Sequence, residues 1–194
     1  MADQAQHYCG AFSPGDRGAQ MIPAWINGEL VPVDKLAAHR QALRHPAVFV
    51  FVAGPQGILI HRRALAKYHT PGLWANACCT HPMWGEATAD CARRRLAEEL
   101  GIGGLALRHR GQVEYRADVG GGMVEHELVE VFAGRAAVAL PMAPDRAEVM
   151  AVRWIALPDL LAEIAAAPQR FTPWLRIYPA HHATQILREG PEQG

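Results

Sequence analysis

Apolar and polar positions along this chain lay out most of its elements. Pro46 to Ala53 (PAVFVFVA) is continuously apolar and rich in Val and Phe, the pattern of a buried strand. Gly54-Pro55-Gln56-Gly57 reads as a turn and Gly57 to Arg62 (GILIHR) as the returning strand, so a hairpin is expected, with His45 at its entrance. Within Thr88 to Leu100 (TADCARRRLAEEL), Ala92, Leu96 and Leu100 recur four residues apart among charged neighbours. That spacing predicts an amphipathic helix, capped by Thr88 and stopped by Gly101. Arg95 and Glu99 share a neighbouring face of it. Gln112 to Arg116 and Val124 to Phe132 read as strands flanking a flexible Gly120-Gly121-Gly122 turn. Strand period puts Glu125 and Glu127 on one face and Val124, His126 and Leu128 on the other. Val149 to Leu157 predicts another strand and Pro158 to Ala166 a short helix with Asp159 in its first turn. Thr172 to Leu187 reads as helix interrupted near Pro179. This order suits an α/β sandwich with a mixed sheet.

Composition narrows the class of partner. The chain has 194 residues, enough for one domain, with 19 basic and 19 acidic residues and a formal net charge of zero. That balance gives no general electrostatic reason to expect nucleic acid or an anionic membrane. No apolar run approaches the ~20 residues of a membrane span. The start of the chain lacks a basic segment followed by an apolar one, so the cytoplasm is the expected location. A loose arm over residues 1–20, one domain over 21–188 and a loose tail over 189–194 are expected. Cys9, Cys78, Cys79 and Cys91 form no disulfide framework and read as reduced thiols.

Candidate chemistry sits in three separated segments: His39 to His45 (HRQALRH), Cys79 to Pro82 (CTHP) and Glu125 to Glu127 (EHE). Imidazole and carboxylate together suit a hard or borderline divalent ion such as Zn, Mn or Mg. Two carboxylates on one strand face repel unless a cation neutralises them or they share a proton. Cys79, two residues from His81, adds a proton carrier.

Arg94-Arg95-Leu96-Ala97-Glu98-Glu99-Leu100-Gly101-Ile102 resembles the core of the Nudix box, a helix whose glutamates bind the metal of a diphosphate. Arg95 stands where that pattern has its first glutamate, and Thr80 where it begins with glycine. The departure favours the fold over the hydrolysis. From about Ile22 to Leu187 the chain resembles type 1 isopentenyl-diphosphate isomerase, a Nudix-like family. The densest match is RRALAKYHTPGLWANACCTHPMWGE (Arg62 to Glu86), followed by YRADVGGGMVEHE (Tyr115 to Glu127) and FTPW (Phe171 to Trp174). Further departures are the extra thiol at Cys78 and a His39–His45 interval one residue shorter than is common.

The resemblance implies a single-domain Nudix-like α/β/α sandwich. It implies interconversion of isopentenyl and dimethylallyl diphosphate in isoprenoid synthesis by protonation and deprotonation. Cys79 would stand on one face of the substrate and Glu127 on the other, with Tyr115 near Glu127. His39, His45, His81, Glu125 and Glu127 would bind one divalent ion, Mn²⁺, Zn²⁺ or Mg²⁺. Glu99 would hold a second, Mg²⁺, on the diphosphate. Lys35, Arg63, Lys67 and Arg95 would receive the diphosphate, and Trp174 would cover the hydrocarbon. The remaining histidines, His181 and His182 included, are read as structural. The expected partner is a small diphosphate, with no nucleic acid or membrane, and the expected state is a monomer or weak homodimer. The alternative is a Nudix hydrolase of another diphosphate compound.

Overall fold

The computed structural model describes residues 20–137 and 139–178. Nearly all of the expected arm, the tail, Cys9, His181, His182 and the interruption near Pro179 lie outside the described residues.

The chain opens with a two-stranded antiparallel sheet, β1 (Met21–Ile26) and β2 (Glu29–Asp34). Asn27 and Gly28 close it with φ of 53° and 87°, the left-handed pair that a two-residue hairpin turn requires. Asp34 then caps a one-and-a-half-turn helix, α1 (Lys35–Arg40), accepting the Ala37 N–H at 2.9 Å.

A seven-stranded mixed sheet follows, built from β3 (His45–Gly54), β4 (Gly57–Arg63), β5 (Trp74–Asn76), β6 (Cys78–Thr80), β7 (Leu107–Gly120), β8 (Met123–Arg135) and β9 (Val149–Ile155). β3 is its spine. One edge pairs in parallel with β8 from His45↔Glu127 to Ala53↔Arg135. The expected hairpin with β4 exists only at the turn, as Ala53↔Ile58 and Gly54↔Gly57. Beyond the turn β6 takes that edge of β3 at Val48, Phe49 and Val50, while β4 leaves to pair with β5 and β9. The split leaves the end of β3 nearest His45 unpaired on that edge among the described residues.

β3 is buried on both faces, as its apolar run requires. Val48, Val50 and Val52 pack with Cys78, Cys91, Ala92, Leu96 and Leu100. Those last four residues lie on α2 (Thr88–Leu100), which covers this face. Phe49 and Phe51 pack on the other face with Ile60, Tyr115, Val131, Leu160, Trp174 and Tyr178. Leu160 belongs to α3 (Leu157–Ala166), and residues 173–178 are helical. Helices therefore cover both faces, completing the α/β/α sandwich.

The helix bounds of α2 are as expected, but its cap is not. Thr88 is its first helical residue, Ala87 is the N-cap, and no side chain caps the end. Asp90 in the first turn supplies negative charge there instead. Gly101 closes the helix at φ 66°, and a Cβ there would meet the Ala143 nitrogen at 2.7 Å.

Candidate active site

Three turns of chain bring the metal donors together. His39 leaves α1, and Ala42 at φ 51° turns the chain sharply so that His45 can begin β3. The two imidazoles end with ring centroids 4.9 Å apart. His81 follows β6, and Glu125 and Glu127 lie on the inward face of β8, as strand period predicts. One ligand atom from each of His39, His45, His81, Glu125 and Glu127 lies within 4.8 Å of all the others, and all five residues are buried.

The hydrogen bonds orient this set. His39 Nδ1 lies 2.6 Å from the Lys35 carbonyl and His45 Nδ1 2.7 Å from the Leu43 carbonyl. A carbonyl only accepts, so both Nδ1 atoms carry the proton and both Nε2 atoms face inward. His39 Nε2 and Glu125 Oε2 lie 3.4 Å apart, buried, and neither has a hydrogen-bond partner. His45 Nε2 and His81 Nε2 face each other at 3.2 Å. Buried, unsatisfied donor atoms of mixed imidazole and carboxylate type, converging on one point, fit a divalent cation.

Protonation follows the same geometry. Burial opposes a charge on His45, but the Glu127 and Glu125 carboxylates outweigh it and raise its pKa. Burial, reinforced by Lys35 and the other histidines, holds His81 neutral with its pKa far below the usual range. Burial pushes the Glu127 carboxyl up, but Glu125, His45 and Tyr115 outweigh it and bring it down to about 2. Glu127 is therefore a carboxylate at neutral pH.

Beside this cluster stand the groups read as proton carriers. Tyr115 on β7 faces Glu127 across the β7–β8 ladder and donates its hydroxyl to Glu127 Oε2 at 2.7 Å. Cys79 on β6 points opposite to Cys78: it packs with the Phe49–Tyr115–Trp174 cluster, whereas Cys78 is buried beneath α2. Burial, then the Glu127 and Glu125 charges, push the Cys79 thiol well up, so it is protonated at neutral pH. Trp174 packs in the same cluster with its ring 6.2 Å from Phe49 and the Arg63 guanidinium 5.5 Å above it.

The basic residues form a second centre. Lys67 is ion-paired with Glu148, and Arg95 with Glu99. Arg95 also reaches Glu98 at 2.8 Å and Glu148 at 3.8 Å. Lys35 is near enough to Lys67 and Arg95 to feel both. Burial first, then those two cations, lower its pKa to about 8. Glu99 is only 3% exposed, a buried carboxylate among cations.

His39, His45, His81, Glu125 and Glu127 lie together, and neighbours not singled out in the sequence lie beside the two clusters. His69, set aside as structural, contacts Glu125 Oε1 at 3.2 Å. Glu148 partners Lys67, and buried His61 feels Glu99, Arg63 and Lys67. The one available cue for His69 was its place inside the densest matching segment, since no period marks that loop.

Comparison with known proteins agrees with this geometry. The NUDIX domain family matches residues 43–175. A crystal structure from Deinococcus radiodurans shares the fold with a TM-score of 0.67 and 19% identity, over 83% of this chain and 97% of that one. A MutT NUDIX hydrolase of Burkholderia pseudomallei does so at 0.56 and 23% identity, over 71% and 96%. The class is therefore a NUDIX-fold domain with a buried His/Glu cluster.

Much nearer are proteins named isopentenyl-diphosphate Delta-isomerase. That of Cereibacter sphaeroides is 59% identical over 168 residues, covering 87% of this chain and 95% of that protein. Those of Rhodobacter capsulatus and Ruegeria pomeroyi are each 57% identical, covering 87% and 89% of this chain and 96% and 94% of theirs. The chain belongs to the isopentenyl-diphosphate Delta-isomerase family of NUDIX proteins.

Proposed function

We propose that this chain interconverts isopentenyl and dimethylallyl diphosphate. The observation that carries the reading is a protonated Cys79 thiol and an ionised, Tyr115-bonded Glu127 within one aromatic-walled site. Moving a carbon–carbon double bond by one position adds a proton at one carbon and removes one from another. It needs one group able to give and one able to take, and the resting protein holds one of each. The product leaves the total proton count unchanged. The developing tertiary cation would sit against the π face of Trp174, and the closed aromatic wall would exclude water from it.

His39, His45, His81, Glu125 and Glu127 would hold one divalent ion, which when bound would orient the Glu127 carboxylate and tune its acidity. Glu99 would hold Mg²⁺ on the diphosphate, which suits a lone carboxylate beside phosphate oxygens. Lys35, Arg63, Lys67 and Arg95 would receive the diphosphate itself, Arg95 as a bidentate donor. Arg95 anchors the group without supplying the carboxylate that hydrolysis would use there. A monomer or weak homodimer is the proposed state. A reducing compartment such as the cytoplasm suits the adjacent thiols Cys78 and Cys79.

The test is incubation with isopentenyl diphosphate and Mg²⁺ in deuterated water. Deuterium-labelled dimethylallyl diphosphate supports the reading. Hydrolysis of nucleoside diphosphate compounds without any isomerisation would replace it with a hydrolase.

A further inference from the structure

Glu125 turns its two oxygens to different neighbours. Oε2 faces His39, His45 and His81 at 3.4, 3.9 and 3.9 Å and has no hydrogen bond. Oε1 faces His69 Nε2 at 3.2 Å. The other ring nitrogen, Nδ1, lies 3.1 Å from Thr70 Oγ1. A neutral imidazole has one N–H. With Nε2 carrying it, the positive edge of the ring faces the carboxylate as an electrostatic contact, and Nδ1 accepts from the Thr70 hydroxyl. The opposite tautomer would set a lone pair against the carboxylate oxygen.

Packing holds this arrangement in place. His69 is buried and stacked on His39 at 5.6 Å, with Tyr68 edge-on at 4.3 Å and Trp174 edge-on at 5.9 Å. Its backbone carbonyl accepts from Arg63 Nη2 at 3.2 Å. Thr70 adopts φ 46°, a left-handed conformation unusual for a β-branched residue. Such a conformation is strained and persists where the surroundings over-determine it. Here it sets the hydroxyl on Nδ1.

We propose that His69 is a positioning residue: held by Thr70, its imidazole edge faces Oε1 electrostatically, so that Glu125 presents Oε2 alone to the divalent ion. The proposal rests on reading the five donors as a metal site. It assigns Glu125 monodentate ligation and makes the loop between β4 and β5 part of the metal's surroundings. Through the edge contact with Trp174, the same imidazole joins the metal centre to the wall that covers the hydrocarbon.

The test measures Co²⁺ affinity by chelator competition, with the visible Co²⁺ spectrum, for wild type, His69→Gln and His69→Leu. Gln retains an N–H donor near the Nε2 position, whereas Leu retains bulk but no donor. Loss of a polar partner behind a metal ligand weakens binding by about 10–100-fold, the result expected for His69→Leu together with an altered spectrum. His69→Gln should stay near wild type, and the KM for isopentenyl diphosphate at saturating metal should change little in either. Wild-type affinity and spectrum in His69→Leu overturn the proposal, as does equal loss in both variants, which marks a packing role. Should His69→Leu not fold, Thr70→Val decides: it removes only the hydroxyl that fixes the tautomer and should weaken Co²⁺ by about threefold or more, whereas unchanged affinity overturns the proposal. A wild-type chain that takes up no Co²⁺ overturns the metal site and this role together; wild-type uptake with unaffected variants overturns the role of His69 alone.

Discussion

Replacing Tyr115 by Phe removes one oxygen and leaves the ring in place against Phe49, 6.0 Å away, and Tyr178, 6.4 Å away. What is lost is the 2.7 Å hydrogen bond to buried Glu127 Oε2. A hydrogen bond to a charged group contributes about 1.5–3 kcal/mol. At about 1.4 kcal/mol per pKa unit, its loss raises the Glu127 carboxyl by about 1–2 units. Starting from about 2, that group is still ionised at pH 7, so any loss of rate comes from misplaced chemistry and not from a wrong resting charge. If the same bonding energy fixes Oε2 toward the substrate in the transition state, kcat falls by about 10–100-fold. KM should stay near wild type, because the residues assigned to the diphosphate are untouched. Steady-state isomerisation of isopentenyl diphosphate, with circular dichroism to check the fold, reads both. A kcat within about twofold of wild type refutes the reasoning, since an effect below about 0.4 kcal/mol is not the loss of such a bond. A large KM rise with unchanged kcat would move Tyr115 to the binding site.

Cys79→Ala should lower kcat by about 10²–10⁴-fold with metal content intact, whereas Cys78→Ala should keep turnover and lose only stability; equal losses of rate would mean the wrong thiol has been assigned. Arg95→Ala should raise KM by about 10–100-fold, with a smaller effect on kcat, in the same assay. His81→Ala should lose the histidine-bound ion in elemental analysis, while Glu99→Gln should keep that ion and weaken only Mg²⁺-dependent diphosphate binding. The depressed pKa of Lys35, about 8, makes its cation complete below that pH and lost above it, so kcat/KM should fall as pH rises through about 8. Lys35→Arg should remove that limb, and an unchanged inflection would assign it to another group.

The parts of the molecule legible in the sequence are those whose pattern is set locally. β3 reads as buried on both faces because its apolar run is unbroken, and α2 because its stripe repeats at helical spacing. Glu125 and Glu127 share a face because strand period leaves no alternative. The β3–β4 hairpin forms at its turn but not along its length, because pairing is a competition among strands distant in sequence: beyond the turn β6 takes the edge of β3 that a full hairpin would fill. β5 and β6 have three residues each, too few for any period. The β1–β2 hairpin did carry a cue, Asn27-Gly28, but Pro23 and Pro32 interrupt the flanking alternation. His69 was invisible as a site residue because it belongs to no helix or strand. A left-handed residue beside it and three surrounding rings place it, and none of these announces itself in one dimension.

The pairs Arg95–Glu99 and Lys67–Glu148 make the proposed diphosphate site an ion exchanger. In the resting protein two of its cations, Arg95 and Lys67, are already paired with its own carboxylates. A bare diphosphate that claims Arg95 strands Glu99, which is buried, and breaking one partner from a buried pair costs about 3–5 kcal/mol. A diphosphate arriving with Mg²⁺ would bring a replacement cation for Glu99 with it. Metal and anion would therefore favour each other at the proposed site. Their affinities are thermodynamically coupled, each strengthening the other by the same factor. A metal-free diphosphate at the proposed site would then bind less well, because it leaves Glu99 without a cation before any contact with the hydrocarbon is made.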